Sequence, residues 1–177
     1  MNANGYSNKN ISALARRLES GRFAITAEVT PPVSANPAEL LEKSDPLKGL
    51  VDAVNVTDGA GARVHLSSLV AAAILRANGI EPVAQFTCRD RNRIALISDL
   101  LGAGAQGIQN LLILTGDDPT VGDQPQAKPV FDLQSTELLK IASEITVSGI
   151  IPSQTPKPNN KSSEPDTKSI GIPPDFK

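Results

Sequence analysis

The chain has very few of the residues from which cysteine- and histidine-based sites are built. Its 177 residues include one cysteine (Cys88), one histidine (His65) and no tryptophan. A single cysteine excludes an internal disulfide and a cysteine-based zinc cluster, and it suits a reducing compartment. A single histidine argues against a His-based metal site or a Ser-His-Asp triad within the chain. The sequence therefore predicts no metal site.

An excess of one charge and long apolar runs are also absent. Basic residues number 17 and acidic residues 19, so nothing indicates a nucleic acid or a membrane surface as partner. No apolar stretch reaches the length of a transmembrane helix, and the polar N-terminus lacks the apolar core of a signal peptide. We expect a cytoplasmic, single-domain protein whose partner is a small molecule or another protein.

Short apolar segments alternate with helical segments along the chain. Strands are predicted at about 23–29, 52–57, 82–87 and 109–114, and helices at about 10–20, 36–47, 65–77, 91–101 and 135–148. Asp90 is placed to cap the helix predicted at 91–101. Strand starts about 27 to 30 residues apart are typical of consecutive right-handed βαβ units. The pattern predicts an α/β fold with a parallel sheet.

Two segments do not fit this period. A loop from Gly116 to about Leu133 follows the fourth strand, and loops of this length without structure of their own tend to be functional. The segment 153–170 is rich in Pro, Lys, Ser and Asn and cannot bury a core. We therefore expect one folded unit over residues 1–149 and an exposed loop or disordered tail over 150–177.

Chemically useful side chains stand where the predicted strands end. They are Glu28 on the first strand, Thr57 and Asp58 on the second, Gln85, Thr87 and Cys88 on the third, and Thr115, Gly116 and Asp117 on the fourth. The carboxyl ends of parallel strands form one rim, where ligands bind in α/β folds. Two carboxylates facing one pocket suit acid–base chemistry, because their surroundings can keep one of them protonated near neutrality.

Structural roles are an alternative for most of these residues. The alternatives are turn formation for Asp117 and Asp118, strand formation for Thr57 and Thr87, a buried amide for Gln85, core packing for Cys88 and the start of a helix for His65. Glu28 is harder to explain in this way. A carboxylate in a mostly apolar strand, shortly before Pro31 and Pro32, is a costly placement without a use.

Four blocks carry a family resemblance. They are Ala27–Pro32, Val54–Asp58, Gln85–Arg93 and Asn110–Asp117, with Lys128–Ser135 after them. Together they resemble the methylenetetrahydrofolate reductases, which are flavin-dependent (βα)8 barrels. The resemblance implies a partial TIM-type barrel with about four N-terminal βα units of eight, in which 1–149 is the N-terminal half and 150–177 leads to the missing fifth strand.

The resemblance also implies a two-step flavin reaction in one-carbon and methionine metabolism. NADH or NADPH reduces a bound FAD or FMN, and the flavin passes hydride to 5,10-methylenetetrahydrofolate, which gives 5-methyltetrahydrofolate. Glu28 matches the family's acid, which would protonate the folate as its five-membered ring opens. Asp117 matches an aspartate that contacts the pterin and lies beside the flavin.

Further residues fall on positions that contact the flavin or its phosphates. They are Thr57, Asp58, Ala60, Gln85, Thr115, Gly116, Phe131 and Asp132, and Asp117 lies beside them. Two of these positions depart from the family, which has histidine and arginine where this chain has Gln85 and Thr115. The departure weakens the case for the same FAD pyrophosphate contacts and makes FMN a serious alternative.

Length is the larger departure, because a closed barrel needs eight strands and about 250 residues. Four strands would leave two open edges and, we expect, an exposed apolar interior. Two other hypotheses therefore stay open. One is a non-catalytic fragment or a partner-binding subunit, acting as a homo-oligomer or with a chain that supplies the missing half; the other is a different small-molecule (βα) enzyme. We expect the isolated chain to bind flavin weakly or not at all, to lack reductase activity, and to self-associate or need a partner.

Overall fold

The computed structural model describes residues 11–152, 168–169 and 176, and its centre is a parallel sheet of four strands. The strands are β1 (Thr26–Val29), β2 (Ala53–Val56), β3 (Pro82–Thr87) and β4 (Asn110–Leu114). They lie side by side in chain order, and each pairs in parallel with the next. The predicted α/β class and parallel sheet are confirmed and are consistent with a partial TIM-type unit, whereas its place as about four units of an eight-stranded barrel stays a prediction.

Helices precede, connect and follow the strands. They are α1 (Ala13–Glu19), α2 (Pro37–Ser44), α3 (Ser68–Ala77), α4 (Arg93–Ala105) and α5 (Ser135–Ser148). Single 3-10 turns lie at Asp45–Leu47, Ala60–Ala62 and Pro119–Val121. None of the helices in the described residues is long and apolar enough to cross a membrane.

The start of α4 corrects one prediction. Asp90 does not cap this helix; the cap is Asn92, whose Oδ1 accepts a hydrogen bond from the Ala95 N–H at 3.0 Å. Both carboxylate oxygens of Asp90 instead accept hydrogen bonds from the neighbouring Arg89 guanidinium, at 2.8 Å each. The charged partner takes the carboxylate, because a bidentate charge-assisted pair is stronger than a bond to a neutral backbone N–H. The helix therefore begins two residues later than predicted.

Besides α1, which starts at Ala13 rather than at about residue 10, two other elements also begin later than predicted. β1 starts at Thr26 rather than 23, and the apolar Phe23 before it is 84% exposed. α3 starts at Ser68 rather than at His65, which lies in the preceding loop with its Nδ1 3.1 Å from the Arg63 carbonyl oxygen. In both cases the residue type fits the predicted element but the backbone does not yet belong to it. Phe23 is apolar, as a strand residue can be, and His65 is compatible with a helix, yet both lie in loops.

The hydrophobic core lies between the helices and one face of the sheet, which we call the outer face. Val29, Val54, Val56, Ala84 and Phe86 are buried there at alternate strand positions. The helices contribute fully buried leucines to the same core: Leu40, Leu75, Leu96, Leu100 and Leu138. Burial of each such side chain contributes about 1.5–3 kcal/mol. This layer positions the strands, and the opposite face, which we call the inner face, carries the exposed Glu28 side chain.

The inner face is more polar than expected from an interrupted barrel. Glu28 is exposed and Asn55 is partly exposed, whereas Gln85 is buried. Leu112 on β4 is 40% exposed, and Leu114 on the same face is partly exposed. The expectation of an exposed apolar interior is therefore wrong for most of this face, since its alternate positions carry polar side chains.

A polar network joins the amino ends of the strands to α1. The Ser12 hydroxyl donates to Asn110 Oδ1 at 2.7 Å, and Asn110 Nδ2 donates to Glu81 Oε1 at 2.7 Å. A cleft of about 360 Å³ opens at this end, bordered by Lys48 and Asp52 among others. It lies at the opposite end of the sheet from the predicted site residues, so it is not a candidate for their chemistry.

The end of the described chain forms a second, small sheet. Ile150–Ile151 (β5) pairs in antiparallel orientation with Lys168–Ser169 (β6). Gly149 ends α5 in the left-handed conformation, with φ +65°, and so turns the chain into β5. Apart from these pairs, Pro152 and Phe176, the predicted loop or tail over 150–177 lies outside the described residues.

Candidate active site

The parallel sheet gathers the predicted site residues at its carboxyl rim. Each strand ends beside a candidate, and the strands are adjacent and parallel. The residues at this rim are Glu28, Thr57, Asp58, Thr87, Cys88, Thr115, Gly116 and Asp117. The loops that follow the strands therefore surround a common space, as the strand-end pattern predicted.

Glu28 and Gln85 meet across the inner face. Gln85 Nε2 donates a hydrogen bond to Glu28 Oε2 at 3.2 Å. Gln85 is 6% exposed, whereas Glu28 is exposed. A buried amide thus holds an accessible carboxylate at the position that sequence reasoning assigned to an acid.

Thr57 has an unusual side-chain environment. The residue is 4% exposed, and its Oγ1 has no hydrogen-bond partner among the described residues. A buried hydroxyl left without a partner costs about 1–3 kcal/mol, and such groups are rare in native proteins. The unpaired hydroxyl at a strand's carboxyl end is therefore a candidate contact for a ligand.

Asp58, the next residue, has the opposite environment. Its Oδ2 accepts hydrogen bonds from the Thr87 backbone N–H at 2.8 Å, from the Thr87 hydroxyl at 3.0 Å and from the Arg91 guanidinium. Arg91 also donates to Asp99 at 2.9 Å, and its guanidinium carbon lies 5.6 Å from the centre of the Phe86 ring. Asp58 thus joins the end of β2 to the end of β3 and, through Arg91, to α4.

Arg89 joins the same rim from inside the protein. It is 4% exposed, pairs with Asp90, and its Nη1 donates to the Gly59 carbonyl oxygen at 3.3 Å. Its own carbonyl oxygen accepts the Val130 N–H at 2.7 Å. The hydrogen bond with Asp90 raises the pKa of Arg89, so the guanidinium stays charged. Arg89 and Arg91 are not among the predicted site residues, although the block Gln85–Arg93 contains both.

Gly116 is needed where β4 turns into its loop. Its φ is +97°, a conformation that other residues rarely adopt. A Cβ at this position would lie 2.9 Å from Arg89 Cβ and 3.2 Å from Thr87 Cβ. Only glycine lets the β4 loop approach the end of β3 this closely.

The loop after β4 lies against the loop after β2. Asp117 Oδ2 accepts the Gly61 N–H at 3.1 Å, and both carboxylate oxygens of Asp123 accept the Val64 N–H at 3.2 Å. Asp118 instead accepts hydrogen bonds from the backbone and the hydroxyl of Thr120, which lower the pKa of Asp118. Asp118 is thus a turn former, whereas Asp117 reaches across to the neighbouring loop.

The remaining flavin candidates have mixed environments. Asp132 Oδ2 accepts the Arg93 N–H at 2.7 Å at the start of α4, and the Thr115 hydroxyl donates to Ser135 Oγ at 3.3 Å. Phe131 has φ +42°, which is strained for a side chain of this size. Ala60 begins the 3-10 turn after β2. Their contact with a flavin stays a prediction.

Cys88 is packed in the core. It is completely buried, and burial raises the pKa of its thiol. Both observations favour packing over nucleophilic chemistry. In the described part of the chain, no group of three or more His, Cys, Asp or Glu side chains could hold a metal ion.

Gly122→Ala tests the contact between the two rim loops. Gly122 has an ordinary φ of −93°, but a Cβ there would lie 1.8 Å from the Ala62 carbonyl oxygen. We expect the substitution to separate the loops, lower the free energy of unfolding by about 1–3 kcal/mol and expose the Val64 N–H to faster hydrogen exchange.

Gly102→Ala is the matched control, because Gly102 lies inside α4 and its added Cβ would meet Leu69 Cδ2 at 3.4 Å. There alanine should be neutral or should stabilise the helix by up to about 1 kcal/mol. Unchanged exchange at Val64 in Gly122→Ala would contradict the described loop contact. Urea unfolding and amide exchange measure both variants.

Comparison with known proteins identifies the family. The family model for methylenetetrahydrofolate reductase matches residues 13–149, which is most of the chain. No curated protein matched. The match includes all four strands and every rim loop described above, and the family suggests an oxidoreductase of folate and one-carbon metabolism that is generally flavin-dependent. The chain belongs to the methylenetetrahydrofolate reductase family.

Proposed function

We propose that this chain carries the acid and part of the flavin site of a reductase that converts 5,10-methylenetetrahydrofolate to 5-methyltetrahydrofolate. The observation that carries the proposal is the exposed Glu28 carboxylate on the inner face of the sheet. The outer face is filled by helices, so the inner face is the one open to a substrate. Family membership supplies the substrate class.

Glu28 would act as a general acid. Its carboxyl group gives a proton to a ring nitrogen of the folate: the O–H bond breaks, an N–H bond forms, and the five-membered ring opens at the methylene carbon. The open ring leaves an iminium carbon that accepts hydride. A carboxyl group that is both reachable and held by a hydrogen bond suits this step, since proton transfer needs a defined distance and direction.

Among the rim residues, Thr57 offers a specific hydrogen-bond contact to a flavin. The buried Thr57 hydroxyl has no partner among the described residues, and a polar atom of a bound cofactor would supply one. Gly116, Thr115, Asp117, Ala60 and Phe131 flank the same rim. When bound, FMN or FAD supplies the hydride after reduction by NADH or NADPH. We assign Asp58, Asp132 and Asp117 a smaller share of the contact, because their carboxylates already bind protein donors.

Glu28→Gln separates the two half-reactions. The substitution keeps the shape and removes the proton, so we expect flavin reduction by NAD(P)H to persist while folate reduction falls by about 100-fold or more. Stopped-flow absorbance follows both steps in a protein to which the missing barrel half has been restored, because we expect the isolated chain to lack turnover. Equal loss of both steps would remove Glu28 from the role of acid.

Thr57→Val tests the flavin contact. The variant replaces an unpaired hydroxyl with a methyl group of similar shape, so we expect the free energy of unfolding to stay the same or rise by up to about 1 kcal/mol. Flavin affinity should nevertheless fall by about fivefold or more, because the cofactor loses a hydrogen bond. Titration of FMN and FAD by flavin fluorescence measures the affinity and also compares the two cofactors.

Thr87→Val is the matched control for stability. Thr87 is 3% exposed, but its hydroxyl is hydrogen bonded to Asp58. Its removal should lower the free energy of unfolding by about 1–3 kcal/mol. If Thr57→Val destabilises the chain as much as Thr87→Val does, the Thr57 hydroxyl has a protein partner and the proposed flavin contact fails.

A second candidate function is that of a subunit whose open sheet is covered by another chain. Among the described residues, β1 and β4 each pair on one side only, and Leu112 is partly exposed beside them. Open strand edges pair readily with other chains. This observation supports a homo-oligomer or a partner that adds barrel strands, with folate reduction occurring only in the assembly.

Size-exclusion chromatography with a flavin titration distinguishes the two candidates. We expect the purified chain alone to self-associate, to bind flavin weakly or not at all, and to lack turnover, because its sheet edges are unpaired. A monodisperse monomer that holds flavin and reduces folate would contradict the need for a partner. The same result would support the reductase proposal for the chain on its own.

A further inference from the structure

Gln85 forms a hydrogen bond within the protein that its predicted role in the flavin site does not explain. It lies on β3, which is buried along its whole length, and its side chain is 6% exposed. Its amide nitrogen donates to Glu28 Oε2 at 3.2 Å. Glu28 lies on β1, so the hydrogen bond spans β2 and joins strands that are about 10 Å apart.

The side chain that lies between Glu28 and Gln85 on the sheet, that of Asn55, is turned towards the backbone of β1. Asn55 on β2 is in register with Glu28, but its Nδ2 lies 3.3 Å from the Ala27 carbonyl oxygen and 3.4 Å from Thr26 Oγ1. Asn55 therefore holds the backbone of β1, and Gln85 reaches over β2 to the Glu28 carboxylate. Two long side chains meet at this point because both lie on the inner face.

We propose that Gln85 is a positioning residue for Glu28, whose amide holds the Glu28 carboxyl group in one place on the inner face. The inference rests on the proposed role of Glu28 as acid. A buried amide N–H loses its water, so Gln85 gains by keeping an acceptor. In return, an exposed carboxylate on an edge strand loses the rotamer freedom that it would otherwise have.

The hydrogen bond also makes the two carboxyl oxygens different. Because Oε2 accepts from the amide, the proton of the neutral acid favours Oε1. That oxygen then presents the O–H bond to a substrate nitrogen, and the proton moves from Oε1 to nitrogen while the carboxylate charge stays next to the Gln85 N–H. The same amide thus supports the acid before the transfer and the anion after it.

Charged groups near the rim do not replace this contact. The side chains that face Glu28 from β2 and β3 are the uncharged Asn55 and Gln85. Within the described residues Glu28 forms no ion pair, and the rim carboxylates are engaged elsewhere, Asp58 with Arg91 and Asp117 with the Gly61 N–H. Gln85 is therefore the group whose removal should release the Glu28 carboxyl group from its position.

The test is carbon-13 NMR of the Glu28 side chain in the 177-residue chain at one neutral pH, where three-bond couplings report the populations of its rotamers. The missing signals in Glu28→Gln identify the resonances. Gln85→Leu removes the donor, so the couplings of one dominant rotamer should be replaced by values averaged over two or more rotamers. Gln106→Leu is the matched control; Gln106 is exposed beyond the end of α4, and its substitution should leave the couplings unchanged.

Gln85→Met covers the case in which Gln85→Leu fails to fold, because methionine is unbranched and lacks the donor. Glu28 couplings that match those of the parent in a folded donor-free variant overturn the proposal. The proposed function fails in a different way. If Glu28→Gln leaves folate reduction intact, Glu28 is not the acid, whereas the couplings still report whether Gln85 holds its carboxyl group.

Discussion

The carboxylate of Asp58 is the interaction on which the rim depends. It accepts two hydrogen bonds from Thr87 and a charge-assisted bond from Arg91, and Arg91 continues to Asp99 on α4. This contact fixes the end of β2 against the end of β3, since the pair is largely shielded from water. A partly buried pair of this kind contributes mainly by specifying one arrangement, because removing either partner would leave an uncompensated charge. The positions of the loops after β2 and β3 follow from this arrangement.

Thr57 and Asp58 show how the chain divides its polar groups between structure and function. Asp58 Oδ2 accepts three hydrogen bonds from protein donors, while the adjacent Thr57 hydroxyl is buried and has no partner in the described residues. The first residue stabilises the rim, and the second leaves a polar atom available there. A similar division separates Gln85, which is buried, from Glu28, which is exposed and held by it. Proteins often leave a polar group without a partner where a ligand binds, although this lowers their stability.

The two faces of the sheet have different roles. The outer face carries valine, alanine and phenylalanine at alternate positions and packs against the helices. The inner face carries Glu28, Asn55 and Gln85 at the intervening positions, and these side chains bind one another or the backbone. An apolar outer face gives the sheet its stability, because burial of apolar surface is the dominant favourable term in folding. The inner face is thereby free to carry the polar groups that chemistry requires.

Much of the fold and the identity of Glu28 as a candidate acid could be predicted from the sequence by itself. The spacing of apolar segments determined the four strands and their parallel order, because each βα unit is locally consistent. Tertiary structure alone decided the partners of charged side chains. Asp90 pairs with Arg89 and does not cap α4, and Asp58 is bound by Arg91, a residue 33 positions away. It also decided that Gln85 reaches Glu28 across β2, at a separation of 57 positions. A hydrogen bond or an ion pair depends on distances between atoms far apart in the chain, and no local pattern of residues encodes those distances.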